Sequence, residues 1–473
     1  MARPKFVEIP SHPLQRFEPL LGDAFSQVEE AASEARARYG GRAIWHVSST
    51  LRGGGVAEML RSLLPYVRGA GIDTRWVVLR ESDEFFELTK RIHNNLHGDH
   101  GDGGELGAAE QELYERSLAN SARHFANLLQ PRDVVFLHDP QTAGLVAQAR
   151  AAGATVVWRC HIGADEPNEI ALRAQSFLHP YVRDADAWVF SRRQYFWPAL
   201  DQRRTHRLAP SLDPFSPKNQ ELDPEAVEAI LGRIGLGARS PTSAPSFTRA
   251  DGTPGRVERR AEVIQEEPLP ASAAAIVQIS RWDRLKDHRG LLAAFERQVD
   301  GGGAHLVLAG AATAAVSDDP EGEAVWSEIR SAWQQLPEPI RGRVHLASLP
   351  MDDLDENGAM VNAIQRRADL IVQKSLAEGF GLTVAEAMWK GKPVIGSRVG
   401  GIQDQIVDGI SGILVDPTDL EQVAEKIGAI LVEPGRAAAL GERARERVAD
   451  GFLGATRLAE YAVLLGELEA RAR

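Results

Sequence analysis

Two glutamates flank a glycine-rich turn in the stretch SLAEGFGLTVAEAMWKGKPVIGS, in the C-terminal half of the sequence. Glu378 lies in the turn after an apolar run, and Glu386 lies inside the helix predicted to begin near Leu382. A carboxylate in such a turn can accept hydrogen bonds from sugar hydroxyls, and one further along the helix can hold a ribose. Between them, the N–H groups of GFGLT at a helix N-terminus would form an anion site.

Two cations follow another apolar run of the same half. Arg281 and Lys286 lie in SRWDRLKD, directly after AAIVQI. Two cations and a helix N-terminus at one edge of a sheet would suit a diphosphate. Each stretch by itself is equally well explained as charges on ordinary surface turns. Their occurrence in the same predicted domain favours a functional site.

Three consecutive glycines, Gly53, Gly54 and Gly55, join the β-like run AIWHVSS to an amphipathic helix pattern. Glu58 stands where the dinucleotide-binding fingerprint requires its last glycine, and no Lys-Ser/Thr pair follows, so neither common phosphate motif is complete. Glycines nevertheless let a ligand approach the backbone closely. We expect this turn to contact a ligand, the alternative being a flexible connection.

Asp139 and His161 each follow a predicted strand, in LHDPQ and WRCHI. A lone histidine at the end of an apolar strand is more often a structural hydrogen-bonding group than a functional one. Asp139 could contact an acceptor or cap a turn through its side chain. The Asp-x-Asp pattern at residues 184–186 precedes a strand and is typical of a solvated helix end. The 13 histidines show no zinc spacing, so we predict no metal.

Short apolar runs alternate with helical patterns along most of the 473 residues, which indicates an α/β class with parallel sheets covered on both faces. This length favours two domains, which we place at 1–212 and 213–473, each doubly wound. The connection at 207–219 is rich in proline. Residues 237–270 are polar, lack a hydrophobic period and predict a mobile insertion. The last helical run could pack on either domain.

Composition narrows the classes of function. The formal net charge of -12 disfavours a broad nucleic-acid surface. The single cysteine, Cys160, excludes an intramolecular disulfide and is expected in the core. The N-terminus lacks the apolar core of a signal peptide, and no apolar run has the length of a membrane helix. We therefore expect a cytoplasmic protein that binds neither nucleic acid nor membrane.

The motif EGFGLTVAEA and the upstream SRWDRLK resemble the signature of the family 4 retaining glycosyltransferases. This resemblance implies the GT-B fold, in which two Rossmann-like domains face each other across a deep cleft. The segments GGGVAEML, EFFELTKRIHNNLHG, LHDPQTAGL and WRCHIG narrow the resemblance to the trehalose-forming synthases of that family. Such enzymes join glucose from a nucleotide glucose to free glucose, giving α,α-trehalose.

The resemblance implies a role for each candidate residue. Arg281 and Lys286 would bind the donor diphosphate, Glu378 the hydroxyls of the transferred glucose, and Glu386 the ribose. His161 would face the reacting carbon with its carbonyl or its ring. The remaining expected contacts are the donor-binding Gly379, Phe380, Gly381, Leu382 and Thr383, and the cleft-lining or acceptor-binding Gly53, Gly54, Gly55 and Asp139. No metal or cofactor is implied.

Two other functions stay open at this point. A retaining trehalose phosphorylase, which would use phosphate or glucose 1-phosphate, shares much of the pattern. A non-catalytic sensor of sugar nucleotides on the same fold is the alternative from another class. The nucleotide base (uridine, adenosine or guanosine) and the oligomeric state, with a homodimer as one option, are left undetermined.

Overall fold

Strands alternate with helices along the chain in the computed structural model, which describes residues 4–51, 55–238, 243–297, 303–313 and 321–472. The described residues form two units, residues 1–211 with 452–473, and residues 212–451. They are called unit 1 and unit 2 below. The boundary lies one residue from the predicted one, while the C-terminal segment belongs to unit 1.

Unit 1 carries a parallel sheet with helices between its strands. Its strands are β1 (Lys5–Val7), β2 (Ile44–Ser48), β3 (Thr74–Val78), β4 (Val134–His138), β5 (Thr155–Cys160), β6 (Ala187–Phe190) and β7 (Thr205–Arg207). Its helices before residue 211 are α1 (Glu18–Leu21), α2 (Phe25–Tyr39), α3 (Gly55–Gly69), α4 (Asp83–Leu96), α5 (Ala108–Ala126), α6 (Val146–Ala151) and α7 (Glu169–Val182).

The strand order in unit 1 is β1-β3-β2-β4-β5-β6-β7, with β1 antiparallel to β3 and the other pairs parallel. The order reverses between β2 and β4, which is where open α/β sheets bind their ligands. Strands β2 and β4 are buried along their whole length, as their continuous apolar runs predict for strands covered on both faces. Cys160 lies in this core, as predicted.

Unit 2 repeats the arrangement. Its strands are β8 (Ser246–Thr248), β9 (Pro254–Arg256), β10 (Glu262–Ile264), β11 (Ala275–Ile279), β12 (His305–Ala311), β13 (Val344–Leu349), β14 (Leu370–Gln373), β15 (Val394–Ser397) and β16 (Ile413–Val415). Its helices are α8 (Pro224–Ile234), α9 (His288–Arg297), α10 (Gly322–Gln335), α11 (Glu338–Arg341), α12 (Leu354–Arg367), α13 (Leu382–Trp389), α14 (Ile402–Gln405), α15 (Leu420–Val432) and α16 (Pro434–Gly451).

The sheet of unit 2 has the order β10-β13-β12-β11-β14-β15-β16, and its strands from β11 to β16 pair in parallel. The order reverses between β11 and β14, and the six parallel strands follow the 3-2-1-4-5-6 arrangement of a dinucleotide-binding sheet. The prediction of two doubly wound α/β units is therefore confirmed.

The last helix, α17 (Gly454–Ala472), packs within unit 1. Its apolar side chains Leu464, Leu465 and Leu468 are buried against α2 and the sheet. The hydroxyl of Tyr39 donates a hydrogen bond to the carbonyl of Leu465 at 2.6 Å. The sequence did not show which domain this helix packs on. Its apolar face is buried in unit 1.

Residues 237–270, predicted as a mobile insertion, contain regular strands in the part that the structure describes. Strands β8 and β9 form a hairpin, and β10 pairs antiparallel with β13 at the sheet edge. Ion pairs attach the segment to α12 and its N-cap: Arg249 Nη2 lies 2.9 Å from the capping Asp353, and Arg259 lies 2.8 Å from Glu356 in the helix. The segment is held by backbone hydrogen bonds between strands and by ion pairs. Because neither kind of contact requires apolar residues at regular spacing, the sequence shows no hydrophobic period there.

Candidate active site

The two charged stretches of unit 2 meet at the edge where its strand order reverses. Strands β11 and β14 are parallel neighbours, with Ile276 opposite Leu370. A short 3-10 helix, Arg284–Lys286, follows β11, and the glycine-rich turn follows β14. Because the carboxyl ends of parallel neighbours share one edge, two stretches distant in sequence form one surface.

Lys286 and Glu378 form an ion pair at this edge. The Nζ of Lys286 lies 2.8 Å from Oε2 of Glu378, and the two side chains are 13% and 12% exposed. The hydroxyl of Ser375 donates to the same oxygen at 3.4 Å. The structure therefore brings together a cation suited to phosphate and a carboxylate suited to sugar hydroxyls.

Arg281 is held by an aspartate that the sequence analysis missed. Its Nη2 lies 3.3 Å from Oδ2 of Asp283, whose side chain is 1% exposed. The other oxygen of Asp283 accepts a hydrogen bond from the N–H of Leu285 at 2.8 Å and caps the short helix that carries Lys286. An aspartate directly before a helical turn is a capping signal and could have identified it.

The predicted donor-binding residues 379–383 form one turn and the start of α13. Gly381 has φ 85°, a left-handed conformation that favours glycine, and a Cβ there would lie 3.2 Å from Glu378 Cγ. The side-chain amide of Gln405 donates to the carbonyls of Phe380 at 2.5 Å and Gly381 at 3.2 Å. These hydrogen bonds fix the turn. The first N–H groups of α13 lie at the end of the turn, and no carbonyl within the helix can accept hydrogen bonds from them.

Glu386 lies further along α13, buried at 3% exposure. Its Oε1 pairs with the Nζ of Lys218 at 3.0 Å. The Nζ of Lys390 donates to the carbonyl of Glu386 at 3.2 Å and to Oδ1 of Asn219 at 3.0 Å. Burial lowers the pKa of Lys390 well below its usual range. Lys218 and Lys390 escaped the sequence analysis, and a ribose contact by Glu386 stays a prediction.

In unit 1, the strand order reverses beside β2, the strand that precedes the three glycines in the sequence. Gly55 is the first residue of α3. Gly53 and Gly54 lie outside the described residues. Gly55 thus begins the helix that follows β2, and its contact with a ligand stays a prediction.

Asp139 and His161 are joined directly. The N–H of His161 donates to Oδ1 of Asp139 at 2.7 Å. Asp139 has φ 62° and ψ -179°, a backbone conformation that is costly for a residue with a side chain and concentrates at functional sites. Burial raises the pKa of Asp139 to about 7. An acceptor contact by Asp139 stays a prediction.

The ring of His161 belongs to a chain of side chains across the sheet of unit 1. Its Nε2 lies 3.3 Å from Nδ1 of His138, and its Nδ1 lies 3.4 Å from Oγ of Ser191. The Nε2 of His138 lies 3.1 Å from Nδ1 of His46. Burial, and then the charge of Arg159, lowers the pKa of His46 to about 3 and that of His161 well below its usual range. These rings are therefore neutral near pH 7.

The Asp-x-Asp pattern has a structural role at one of its two aspartates. Asp186 accepts a hydrogen bond from the N–H of Val156 at 2.8 Å and pairs with Arg150 at 3.3 Å. In the part of the chain that the structure describes, no cluster of three or more His, Cys, Asp or Glu side chains could hold a metal ion. Each described helix is too short or too polar to cross a membrane.

Both halves of the chain are similar to known protein families. Residues 46–197 match the family model described as trehalose synthase, N-terminal domain, and residues 352–447 match that of glycosyl transferases group 1. A trehalose synthase of Pyrococcus horikoshii is 34% identical over 457 residues, covering 96% of each chain. The chain belongs to the trehalose synthase family. It is accordingly a glycosyltransferase of trehalose metabolism.

Two other proteins are similar to this trehalose synthase family member at lower sequence identity. A trehalose phosphorylase of Pleurotus pulmonarius is 28% identical over 85% of the chain, which spans 54% of that protein. The solved α,α-trehalose 6-phosphate synthase of Burkholderia multivorans superposes with a TM-score of 0.68 at 16% identity, covering 91% of this chain and 98% of that one. The latter likeness establishes the GT-B fold.

Proposed function

We propose that this protein transfers glucose from a nucleotide glucose to free glucose and forms α,α-trehalose with retention at the anomeric carbon. The observation that carries the proposal is the Lys286–Glu378 pair beside the N-terminus of α13, at the reversal point of the unit 2 sheet. A cation and a helix N-terminus suit the two charges of a departing nucleoside diphosphate.

In this proposal the acceptor hydroxyl attacks the anomeric carbon on the face from which the diphosphate leaves. The bond from that carbon to the phosphate oxygen breaks, the bond to the acceptor oxygen forms, and the hydroxyl proton passes to the leaving phosphate oxygen. Lys286, Arg281 and the N–H groups of Leu382 and Thr383 stabilise the developing charge. Glu378 orients the transferred glucose through its hydroxyls.

His161 and Asp139 are the candidate groups for the reacting carbon and the acceptor. The N–H of His161 is engaged by Asp139, and its ring nitrogens are engaged by His138 and Ser191. We therefore assign the contact with the cation-like anomeric carbon to the main-chain carbonyl of His161, whose oxygen carries partial negative charge. Asp139, with its pKa raised to about 7, is the candidate acceptor contact.

The direct test is an assay of the purified protein with glucose and, in turn, the uridine, adenosine and guanosine diphosphate glucoses. Trehalose together with released nucleoside diphosphate supports the proposal, and proton NMR of the product reports the anomeric configuration. Tight binding of a nucleotide glucose without turnover would instead support a sensor.

The phosphorylase remains the second candidate because of the similarity to the Pleurotus protein. It is tested in the same assay with glucose 1-phosphate as the donor and inorganic phosphate as the leaving group. Trehalose from glucose 1-phosphate alone would refute the nucleotide-dependent reaction. The Lys286→Ala variant is the control for both donors, since loss of the lysine should lower the rate of either transfer.

A further inference from the structure

Two buried histidines of unit 1, His46 and His138, have no role in the reaction described so far. They are 3% and 1% exposed. Their registers put them on one face of the sheet, with His46 opposite Phe136 and His138 opposite Arg159, two residues before His161. We propose that His138, supported by His46, is a positioning residue that fixes the ring of His161 in one tautomer and one orientation, and thereby places the main-chain carbonyl of His161. The inference rests on the proposed contact of that carbonyl with the transferred glucose.

The rings of His46, His138 and His161 form a row in which each ring contacts the next. The rings of His138 and His161 stack with centroids 5.6 Å apart and planes inclined by 13°. At the far end, His46 stacks on Phe136 with centroids 5.0 Å apart and planes inclined by 6°. Neighbouring strands supply these residues, since β4 lies between β2 and β5. A ring anchored on a buried strand leaves the next ring little freedom to rotate.

The contacts impose one tautomer on the whole chain. A hydrogen bond between two imidazole nitrogens needs one donor and one acceptor, and a neutral ring has one of each. If His46 donates from Nδ1, His138 must donate from Nδ1 to His161, and His161 must donate from Nδ1 to Ser191. If the hydroxyl of Ser191 donates instead, each ring carries its hydrogen on Nε2. The three histidines therefore share the same tautomer in either case.

The surroundings keep these rings neutral. Arg159 is fully buried on the same sheet face, where its Nη2 donates to the carbonyl of Leu208 at 3.1 Å and its guanidinium lies 5.3 Å from the ring centre of Tyr461. Burial is the largest cause of the lowered pKa of His138, followed by the charges of His46, His161 and Arg159. A protonated ring would put a second donor on a nitrogen that must accept.

The first experiment uses variants of His138 that keep one contact each. An asparagine amide can replace Nδ1 and retain the bond toward His161, whereas a glutamine amide can replace Nε2 and retain the bond toward His46. His138→Phe removes both contacts. If a misplaced group costs on the order of 10²-fold in rate, kcat should fall by about that factor in the phenylalanine variant. The glutamine variant should resemble it, and the asparagine variant should keep more activity.

The KM for the donor separates positioning from a purely structural role, because the donor diphosphate is assigned to unit 2. We expect this KM to be unchanged in all three variants, with thermal unfolding confirming a folded protein. A folded His138→Phe variant with wild-type kcat would overturn the proposal, as would equal losses in the asparagine and glutamine variants.

A second measurement does not depend on catalysis. Nitrogen-15 spectra of histidine-labelled protein report the tautomer of each ring, assigned with single histidine variants. We expect His46, His138 and His161 to share one tautomer in the wild type, and His161 to lose its fixed tautomer in His138→Phe. Different tautomers among the wild-type rings would refute the chain. If wild-type protein forms no trehalose but the shared tautomer is found, the proposed reaction fails while the positioning of His161 stands.

Discussion

The Nζ of Lys286 lies 2.8 Å from Oε2 of Glu378, although 92 residues separate the two along the chain. Each residue follows a different strand, and the pair forms because β11 and β14 are neighbours at the point where the strand order reverses. A lysine that binds a diphosphate and a glutamate that binds the adjoining sugar need this proximity. In the proposed reaction, the pair therefore joins the group that binds the diphosphate to the group that orients the transferred glucose.

Replacing Lys286 with alanine should lower kcat by on the order of 10²-fold, the scale of losing one group that stabilises charge in the transition state. Arg284→Ala is the matched control, because Arg284 lies in the same short helix but pairs with Glu328 at the surface, where it is 59% exposed. Steady-state kinetics of both variants measure the difference. Near wild-type kinetics for Lys286→Ala would remove this residue from the proposed role.

Glu378→Gln should abolish most transfer while the fold is retained, because the amide keeps the shape of the side chain but loses the charge that accepts sugar hydroxyls and pairs with Lys286. Losing hydrogen bonds to a charged group predicts a drop in kcat/KM of about 10- to 100-fold. Circular dichroism and thermal unfolding serve as controls. An unfolded Glu378→Gln protein would show that the glutamate has a structural role instead.

Lys218→Met should destabilise unit 2. It deprives the carboxylate of Glu386, which is 4% exposed, of the ammonium group 3.0 Å away. Breaking a buried ion pair predicts a loss of about 3 kcal/mol in the free energy of unfolding. The control is Lys426→Met, at a lysine that is 36% exposed and pairs with Glu425 at the surface. Equal unfolding midpoints in denaturant would argue against a stabilising pair.

The raised pKa of Asp139 predicts that the free energy of unfolding depends on pH. Its pKa is raised to about 7 by burial, whereas an unfolded aspartate titrates near 3.9. Between these values the folded state binds the proton that the unfolded state releases, so the contribution of Asp139 falls as the pH rises from about 4 to about 7. Asp139→Asn should make the free energy of unfolding decline less across this window.

Chemical denaturation of wild type and Asp139→Asn at pH 5 and pH 7 measures this difference. Asp184→Asn supplies the control, since this aspartate is exposed at the end of α7, with a side chain that is 63% exposed. Parallel pH profiles for wild type and Asp139→Asn would contradict the raised pKa.

Substitutions of two adjacent residues of α17 test whether this helix packs in unit 1 through its apolar face. Leu464 is 3% exposed and Val463 is 63% exposed. Leu464→Ala should lower the free energy of unfolding by about 2–4 kcal/mol through the lost apolar contacts and the cavity left behind. Val463→Ala should change it by less than about 0.5 kcal/mol. Similar effects of the two substitutions would show that this helix does not pack through the Leu464 face.

Local patterns predicted much of the fold and part of the site. Continuous apolar runs predicted the buried strands, and the turn around Gly381 with its flanking glutamates was visible as a short motif. The segment 237–270 was not predictable in the same way, because its ordered strands depend on β13 and on ion pairs with α12. Gln405, which holds the glycine turn, has no local signal because its partners lie 24 and 25 residues away.

The sequence by itself determined the alternation of strands and helices, the two doubly wound units and the residue types at the strand ends, because periodicity and turn chemistry are local properties. Only the tertiary structure decided which of those residues meet. It paired Lys286 with Glu378 and Glu386 with Lys218, joined His161 to Asp139 and His138, and placed α17 in unit 1. These contacts follow from strand order and from the burial of apolar faces, which bring together groups that are far apart along the chain.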